Sequence, residues 1–314
     1  MESEIDNQEV AIPGTGLVIM YGSTEIGRVP GPDMPGGDPC GGRETGDCEI
    51  GGCDTCPPVQ GPAPVPAPVI VKECMGEITH DDLKFMVDIL LTIGIEGRFH
   101  LRPGTIELKM VSTANVSMIS FELNRDHSQG ILNSVNNRDI GVDIALLKKI
   151  LPGKKKEMIS LWVDDKTLYL EGETESTSLK LLDINTIRKD PNPPVIDLKG
   201  PVGIDPGTFY KYLKNVKAVT DKVLLEIKPG EVVVSGEGDT SRFKGSMVYD
   251  QVQGSFNEKA LFSLDYLYDM ARVLKGLDIL QVSFKTDYPL KIEGRIFNGA
   301  GKITYLLAPR VESA

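Results

Sequence analysis

The 314-residue chain carries the same arrangement of predicted helices and strands twice. An amphipathic helix is predicted at 79–94 and again at 205–219. Each is followed by alternating strands, a strand that leads into a second helix, and further strands. Equivalent points are 126 residues apart at positions 79 and 205, and 122 apart at positions 143 and 265. A period this long indicates a duplicated domain, because solenoid repeats span only about 20–50 residues.

Strands outnumber helices in each half, and the order shows no regular alternation of strand and helix. Each predicted helix has one apolar stripe, which we expect to face a sheet. These stripes comprise Leu83, Val87, Leu90, Phe209, Leu213, Val216, Leu264, Leu267, Ala271 and Leu274. We therefore predict an α+β fold of two duplicated domains, each with antiparallel sheets and two helices on one face.

Composition separates the first 69 residues from the rest. Residues 1–70 hold 11 acids and 2 bases, whereas 71–314 hold 34 acids and 32 bases. We predict a disordered Pro/Gly/Cys-rich extension at 1–69, in which the apolar segment 17–21 either forms a short strand or docks on the body. The predicted domains are 70–184 and 199–314, joined by a proline-containing connecting loop at 185–198. No apolar run approaches the ~18 residues of a membrane span, and the N-terminus lacks a signal peptide's features, so an intracellular location without a membrane partner is expected.

Four cysteines in the extension are spaced C-x7-C-x4-C-x2-C: Cys40, Cys48, Cys53 and Cys56. Glycines between them give the backbone freedom to wrap four thiolates around one ion. The last three also match the spacing of plant-type [2Fe–2S] ligands. The spacing leaves three interpretations open: a zinc or Fe–S site, redox-sensitive thiols, or no function beyond a flexible tail. Cys74 is expected to be a buried small apolar residue.

Six segments in order resemble the proliferating cell nuclear antigen (PCNA) family of DNA sliding clamps, especially its archaeal members. They are NVSMISFEL (115–123), IRKDPNPPVIDL (187–198), TDKVLLEI (220–227), FSLDYLYDM (262–270), TDYPLK (286–291) and TYLLAPRV (304–311). The resemblance covers about residues 70–314. It implies a ring of three identical subunits around duplex DNA, with helices inside and sheets outside. It also implies a processivity factor without chemistry or a required cofactor, located in the cytoplasm at the nucleoid.

Basic residues on the predicted helices are the candidate contacts to DNA phosphates. Lys211, Lys214 and Lys217 recur every three residues opposite the apolar stripe of their helix. The full set that the resemblance places toward DNA is Lys84, Lys148, Lys149, Lys154, Lys211, Lys214, Lys217, Arg272 and Lys275. Sequence-independent binding uses such mobile cations on phosphates rather than contacts with base edges. The first helix departs from the pattern, because Asp81, Asp82 and Asp88 outnumber Lys84.

The resemblance also implies a surface that binds short peptide motifs of DNA polymerase, clamp loader, flap nuclease and ligase. Its matching positions are Val111, Val116, Met118, Pro193, Pro194, Ile196, Pro289, Ala308, Pro309 and Arg310. An apolar patch beside an extended connector offers anchor pockets and backbone pairing. Ser112 stands where the family usually carries an acid, so we expect altered hydrogen bonding in that turn.

Subunits of such rings join through strand edges, which here match 176–182 and 241–249. The candidate interface residues are Ser176, Ser178, Lys180, Arg242 and Lys244. Pairing these edges would remove two exposed edges that otherwise favour aggregation.

The sequence thus predicts a non-catalytic homotrimeric sliding clamp. His80, His100 and His127 accompany no nucleophile motif, and the glycines at 14 and 16 lack the spacing of a phosphate loop. Two other interpretations remain open. One is a paralogous subunit of a heterotrimeric or inhibitory clamp, and the other is a metal- or redox-sensing protein that uses the clamp as a scaffold.

Overall fold

The computed structural model describes residues 72–124, 137–249 and 257–311, together with the backbone of residues 9–11 and 18–20. Strands β1 (Glu9–Ala11) and β2 (Val18–Met20) form a two-stranded sheet. β2 falls within the apolar segment 17–21. The rest of the 1–69 extension lies outside the described residues, and its predicted disorder remains a prediction.

The described residues of the first half form eight strands and two helices. They are β3 (Glu73–Thr79), α1 (His80–Leu90), β4 (Glu96–Arg102), β5 (Thr105–Val111), β6 (Ser117–Asn124), β7 (Arg138–Asp143), α2 (Ile144–Ile150), β8 (Met158–Val163), β9 (Thr167–Glu171) and β10 (Ser176–Lys180).

The described residues of the second half repeat this order. They form β11 (Lys199–Ile204), α3 (Pro206–Lys217), β12 (Lys222–Lys228), β13 (Glu231–Glu237), β14 (Arg242–Val248), β15 (Glu258–Ser263), α4 (Leu264–Leu274), β16 (Leu280–Phe284), β17 (Leu290–Ile296) and β18 (Gly301–Leu307). The connecting loop 185–198 lies between β10 and β11. The duplication predicted from the sequence is therefore present element by element.

The strands of the two halves combine into larger antiparallel sheets. One sheet of eight strands has the order β11-β16-β17-β18-β6-β5-β4-β7, so each half contributes four neighbouring strands. Two sheets of four strands have the orders β10-β9-β8-β3 and β14-β13-β12-β15. The halves are joined where β18 pairs with β6, from Gly301–Leu123 to Leu307–Ser117.

Capping residues set where the helices begin. The side chains of Thr79, Asp143 and Asp205 accept hydrogen bonds from backbone N–H groups three residues on, at 3.1, 2.7 and 2.7 Å. Such caps satisfy N–H groups that have no partner inside the helix. α1 ends at Leu90 rather than at position 94, because the next residues form tighter turns in which Ile93 N–H donates to Leu90 O. The second helices follow caps at Asp143 and Ser263, so their offset is 120 rather than the predicted 122.

The apolar stripes predicted from the sequence are buried as expected. Leu90, Leu213 and Leu264 are 0% exposed. Alternate residues of the strands complete the core, as in β12, where Val223, Leu225 and Ile227 are also 0% exposed. The α+β fold with helices packed on sheets is thus confirmed. No helix in the described ranges is long and apolar enough to cross a membrane.

Candidate functional site

The four helices contact one another and turn their polar faces away from the sheets. α3 contacts α4, and α1 contacts both α4 and α2. Lys84, Lys148, Arg272 and Lys275 come together in one groove of about 540 Å³ among these helices. Asp88 and Asp269 line the same groove. The helix layer therefore combines four of the predicted DNA-facing cations with two carboxylates.

Asp88 neutralises part of this groove. Its carboxylate lies 2.8 Å from the Lys84 ammonium and 2.7 Å from that of Lys148. Burial raises the pKa of Asp88, but the hydrogen bonds and charges of Lys148 and Lys84 outweigh it and hold the pKa below its usual value. Asp88 thus stays ionised and reduces the positive potential of α1 and α2, as the acidic composition of α1 suggested.

The lysines of α3 have a different environment. Lys211 and Lys214 are exposed and form no ion pair with a described carboxylate. Lys217 lies 3.0 Å from Asp265 and 4.3 Å from the centre of the Tyr268 ring. The hydrogen bond to Asp265 raises the pKa of Lys217.

Two tyrosines that sequence reasoning missed organise the helix layer. The Tyr210 and Tyr268 hydroxyls are 3.1 Å apart, and the Lys275 ammonium lies 5.2 Å from the Tyr210 ring centre. A cation over an aromatic face is attracted to it.

Two further candidate DNA-facing lysines, Lys149 and Lys154, are also exposed. The backbone N–H of Lys154 donates to the Glu157 carboxylate at 2.8 Å.

The connecting loop is tied to both halves by side-chain contacts. Arg98 donates to Ile187 O at 3.5 Å, and Lys285 lies 2.5 Å from Asp197. His100 contacts Asp190 of the loop through Nε2 and Asp139 of β7 through Nδ1, the latter at 2.8 Å. These tethers require contacts between residues about 90 positions apart, which sequence patterns do not reveal.

Strands β5, β6 and β18 bring part of the predicted partner-peptide surface together. Met118 pairs with Val111 on one side and with Leu306 on the other. Ala308 N–H donates to Val116 O at 2.8 Å. Met118 is only 7% exposed, whereas Val111 and Val116 are half-buried. The two valines therefore offer a partner more accessible surface than Met118 does.

The remaining predicted pocket residues differ in exposure. Pro289 is buried, Pro194, Ile196 and Pro309 are half-buried, and Pro193 and Arg310 are exposed. The Arg310 guanidinium lies 2.8 Å from Asp221. Leu306, which sequence reasoning missed, pairs with Met118. Its signal in the sequence is an apolar residue at a position of β18 that lies between the alternating core residues Tyr305 and Leu307.

Ser112 closes the turn between β5 and β6. Its hydroxyl accepts a hydrogen bond from Ser117 N–H at 3.2 Å, and its own N–H donates to Ser117 O at 2.8 Å. Its carbonyl accepts from Asn115 N–H and from Arg188 of the connecting loop. A buried serine thus supplies the hydrogen bonds of this turn.

The predicted subunit-interface residues lie on two sheet edges, β10 and β14. At the ends of β10, Gly172 N–H donates to Glu175 O, and Leu181 N–H donates to Lys166 O. Backbone bonding alternates along an antiparallel pair, so odd-numbered residues of β10 bond β9. The N–H and C=O groups of Ser176, Ser178 and Lys180 therefore face outward.

The same reasoning applies to β14. Gly238 N–H donates to Ser241 O, and Tyr249 N–H donates to Gly230 O. Odd-numbered residues of β14 therefore bond β13, and the backbone of Arg242 and Lys244 faces outward. Neither edge pairs with another described strand.

The four clustered cysteines of the extension lie outside the described residues. Within the described ranges, no three His, Cys, Asp or Glu side chains are placed to hold a metal ion. Cys74 is a free, half-buried thiol rather than the fully buried residue expected.

Comparisons with known proteins bear on this architecture. A protein of Methanoculleus marisnigri named DNA polymerase sliding clamp is 34% identical over 234 residues, which cover 72% of this chain and 94% of the relative. A protein of the same name from Methanospirillum hungatei is 35% identical over 244 residues, covering 75% of this chain and 98% of the relative. No protein-family model matches the chain.

Solved structures agree with the curated relatives. The chain resembles A. fulgidus PCNA, solved with the C-terminal region of FEN-1, with a TM-score of 0.71 and 25% identity over 77% of this chain and 100% of the other. PCNA from Thermococcus kodakaraensis shares the fold with a TM-score of 0.66 and 21% identity over 75% of this chain and 100% of the other. The chain belongs to the DNA polymerase sliding clamp family, as its sequence motifs predicted.

Proposed function

We propose that this chain forms a homotrimeric ring that encircles duplex DNA and tethers replication and repair enzymes to it. The ring performs no chemistry and needs no cofactor for this role. Its partners are duplex DNA of any sequence, and DNA polymerase, clamp loader, flap nuclease and ligase through short peptide motifs. It works in the cytoplasm at the nucleoid.

The observation that carries this proposal is the relation between the internal junction and the free edges. β10 corresponds to β18, since Leu179 pairs with Leu168 in the first half and Leu307 pairs with Leu290 in the second. Equivalent residues of these strands are 128 positions apart. β10 is therefore the first-half equivalent of β18, the strand through which the second half joins the first.

β14 corresponds in the same way to β6. Leu108 pairs with Phe121 in the first half, and Val234 pairs with Gly245 in the second. Equivalent residues of these strands are 124 positions apart. Because β6 and β18 are already paired within the chain, β14 and β10 are the two edges left for a second copy.

The internal junction then supplies a register for the joint between subunits. Thr304 pairs with Ser120, and Leu306 pairs with Met118. The equivalent pairs between subunits are Ser176 with Lys244 and Ser178 with Arg242. These are the residues whose backbone groups face outward, so the two edges are complementary in hydrogen bonding.

Complementary edges on opposite ends of one chain generate a head-to-tail assembly, which closes when the rotation between copies allows it. With both edges on the same chain, self-association does not require a second type of subunit. This supports a homotrimer over a heterotrimer. The helix layer, with the exposed lysines of α3, would then face the enclosed DNA.

Light scattering after gel filtration of the full chain tests the assembly. We expect a mass near three times the 34.2 kDa of one chain, roughly 100 kDa for a closed ring. Ser178→Pro removes one outward N–H without removing a bond to β9, and proline is tolerated at strand edges. That variant should elute as a monomer.

Ser178→Thr keeps the N–H and serves as the matched control, which should remain trimeric. The trimer should also stay on closed circular DNA and leave it after the DNA is linearised. A wild-type monomer at micromolar concentration, or an S178P variant that remains trimeric, would contradict the proposed joint.

A further inference from the structure

The first half contains a cleft where two neighbouring strands separate. The ladder between β4 and β5 runs from Arg102–Thr105 to Phe99–Leu108 and stops there. β4 nevertheless continues to Glu96 and β5 continues to Val111. The separated ends and the start of the connecting loop enclose about 170 Å³.

The lining of this cleft contains four cationic side chains and one carboxylate. Arg98 and Lys109 come from the two separated strands, and Arg188 and Lys189 come from the connecting loop, whereas Glu96 is the acid. Large apolar side chains lie among them. Ile95, which is 63% exposed, is one of these. The cleft thus combines an apolar surface with a positive rim.

None of the four cations forms an ion pair with a carboxylate in the described parts of the chain. The two arginines donate to backbone carbonyls or to an amide instead: Arg98 to Ile184 O at 2.7 Å, and Arg188 to Ser112 O at 3.1 Å and Asn115 Oδ1. Buried Nε of Arg98 has no described partner. Charge-assisted hydrogen bonds to a carboxylate would be stronger than those to neutral acceptors.

The second half differs at the equivalent place. The ladder between its equivalent strands, β12 and β13, continues one pair further, to Leu224–Ser235. These two residues correspond to Arg98 and Lys109. The second half thus carries a neutral pair within the ladder where the first half carries two cations beyond its end.

We propose that this cleft binds a short extended segment of a partner protein, in which an apolar side chain is flanked by carboxylates. The apolar side chain would contact Ile95 and Val111. The carboxylates would pair with Lys109 and Lys189, and the backbone of an extended segment would lie along the separated strand ends. This extends the proposed function by naming a second docking element beside the surface formed with the C-terminal strand.

A titration with defined peptides tests this proposal. The ¹⁵N-labelled full-length chain is titrated with Gly-Ser-Asp-Leu-Asp-Gly-Ser, and with the control Gly-Ser-Lys-Leu-Lys-Gly-Ser, to millimolar concentration. We expect the acidic peptide alone to shift amide signals of 94–98, 109–113 and 187–189. The double variant Lys109→Ser/Lys189→Ser should weaken binding by about fivefold, as expected for two exposed ion pairs.

Lys155→Ser/Lys259→Ser removes two exposed lysines elsewhere and should leave the affinity unchanged. The S178P variant should bind as the wild type does, so failure of the ring proposal is distinguishable from failure of this one. The proposal is wrong if no signal of the cleft shifts or if the shifts are confined to 308–310. Equal binding by both peptides, or equal weakening in the control variant, would overturn it as well.

Discussion

The two halves of the chain share a backbone but differ in what they place at the junctions. At the internal junction, α1 of the first half presents Phe85, whose ring packs edge-on against Phe297 of the second half at 6.2 Å. At the free junction, α3 presents Lys211 at the position equivalent to Phe85. The permanent junction therefore includes an apolar contact between the halves, whereas the free one is polar at the same place. One duplicated scaffold thus serves the joint within the chain and, in the ring that we propose, the joint between chains.

The strands at these junctions differ in a related way. β6 carries Phe121, which is 1% exposed. β14 carries Gly245 at the equivalent position, and the Tyr212 ring of α3 occupies the space that a side chain there would fill. Tyr212 also donates to Ser246 O at 3.0 Å. In the first half, Phe121 of the strand fills the space between strand and helix. In the second half, Tyr212 of the helix fills the equivalent space.

Truncating the core residue at the internal junction should have the largest effect. Phe121→Ala removes a buried aromatic side chain and leaves a cavity, so we expect about 3–5 kcal/mol loss in the free energy of unfolding. Urea denaturation measures this. Phe243→Ala, at a half-buried position of the free edge, should cost about 1 kcal/mol in the monomeric S178P background. Equal losses would show that the two junctions do not differ in packing.

Adding a methyl group at the free edge should have a smaller effect. A Cβ on residue 245 would lie 2.8 Å from two carbons of the Tyr212 ring. Gly245→Ala should therefore cost about 1–3 kcal/mol through overpacking. Gly276→Ala, where nothing lies within 4 Å of the new Cβ, is the control and should change stability by less than about 0.5 kcal/mol. A neutral Gly245→Ala would mean that Tyr212 moves aside freely.

The turn after β8 offers a pH-dependent comparison. In the first half Asp164 closes it. Hydrogen bonds from Lys166 N–H, the Tyr169 hydroxyl and Thr167 N–H hold the pKa of Asp164 below its usual value. The equivalent residue of the second half is Lys285, which pairs with Asp197 instead. The same turn is closed by an acid in one half and tied to the connecting loop by a base in the other.

Asp164→Asn should cost about 1–3 kcal/mol at neutral pH, because it weakens hydrogen bonds to a charged acceptor. A lowered folded-state pKa means that the carboxylate's contribution is complete above the unfolded pKa of about 4 and is lost as pH falls through the folded pKa. Urea denaturation at pH 7, 4 and 3 should therefore show the difference between wild type and variant shrinking with acidity. A difference that is independent of pH would contradict this account.

The sequence patterns that predicted correctly are those that depend on one element at a time. Period-two and period-3.6 patterns identified the buried faces, as in Leu213 and Leu225. The sheet edges at β10 and β14 were expected from the family resemblance rather than from these patterns. What they missed depends on which elements meet. Tyr212 over Gly245, His100 between two aspartates, and the separation of β4 from β5 all arise from tertiary contacts. A pattern shows that a face is buried but not what buries it.

The helix layer gives the last comparison, and the smallest expected effect. Asp88 of α1 and Lys214 of α3 occupy equivalent positions. Lys214 has no described ion pair, so it is free to neutralise a phosphate, whereas Lys84 and Lys148 share Asp88. Each phosphate contact contributes about 0.9 to the slope of log affinity against log salt. Lys214→Ala should lower the slope of duplex binding by about that amount for each subunit that contacts DNA, and Lys84→Ala by less.

Asp88→Asn sharpens this comparison, because it frees two lysines without adding a cation. We expect it to strengthen duplex binding at low salt and to steepen the salt dependence, since Lys84 and Lys148 would then contact phosphates directly. Fluorescence anisotropy of a labelled duplex across a salt series measures both quantities. If Asp88→Asn leaves the slope unchanged while Lys214→Ala lowers it, then Lys84 and Lys148 do not contact DNA, and the ion pairs of Asp88 serve only to hold α1 against α2.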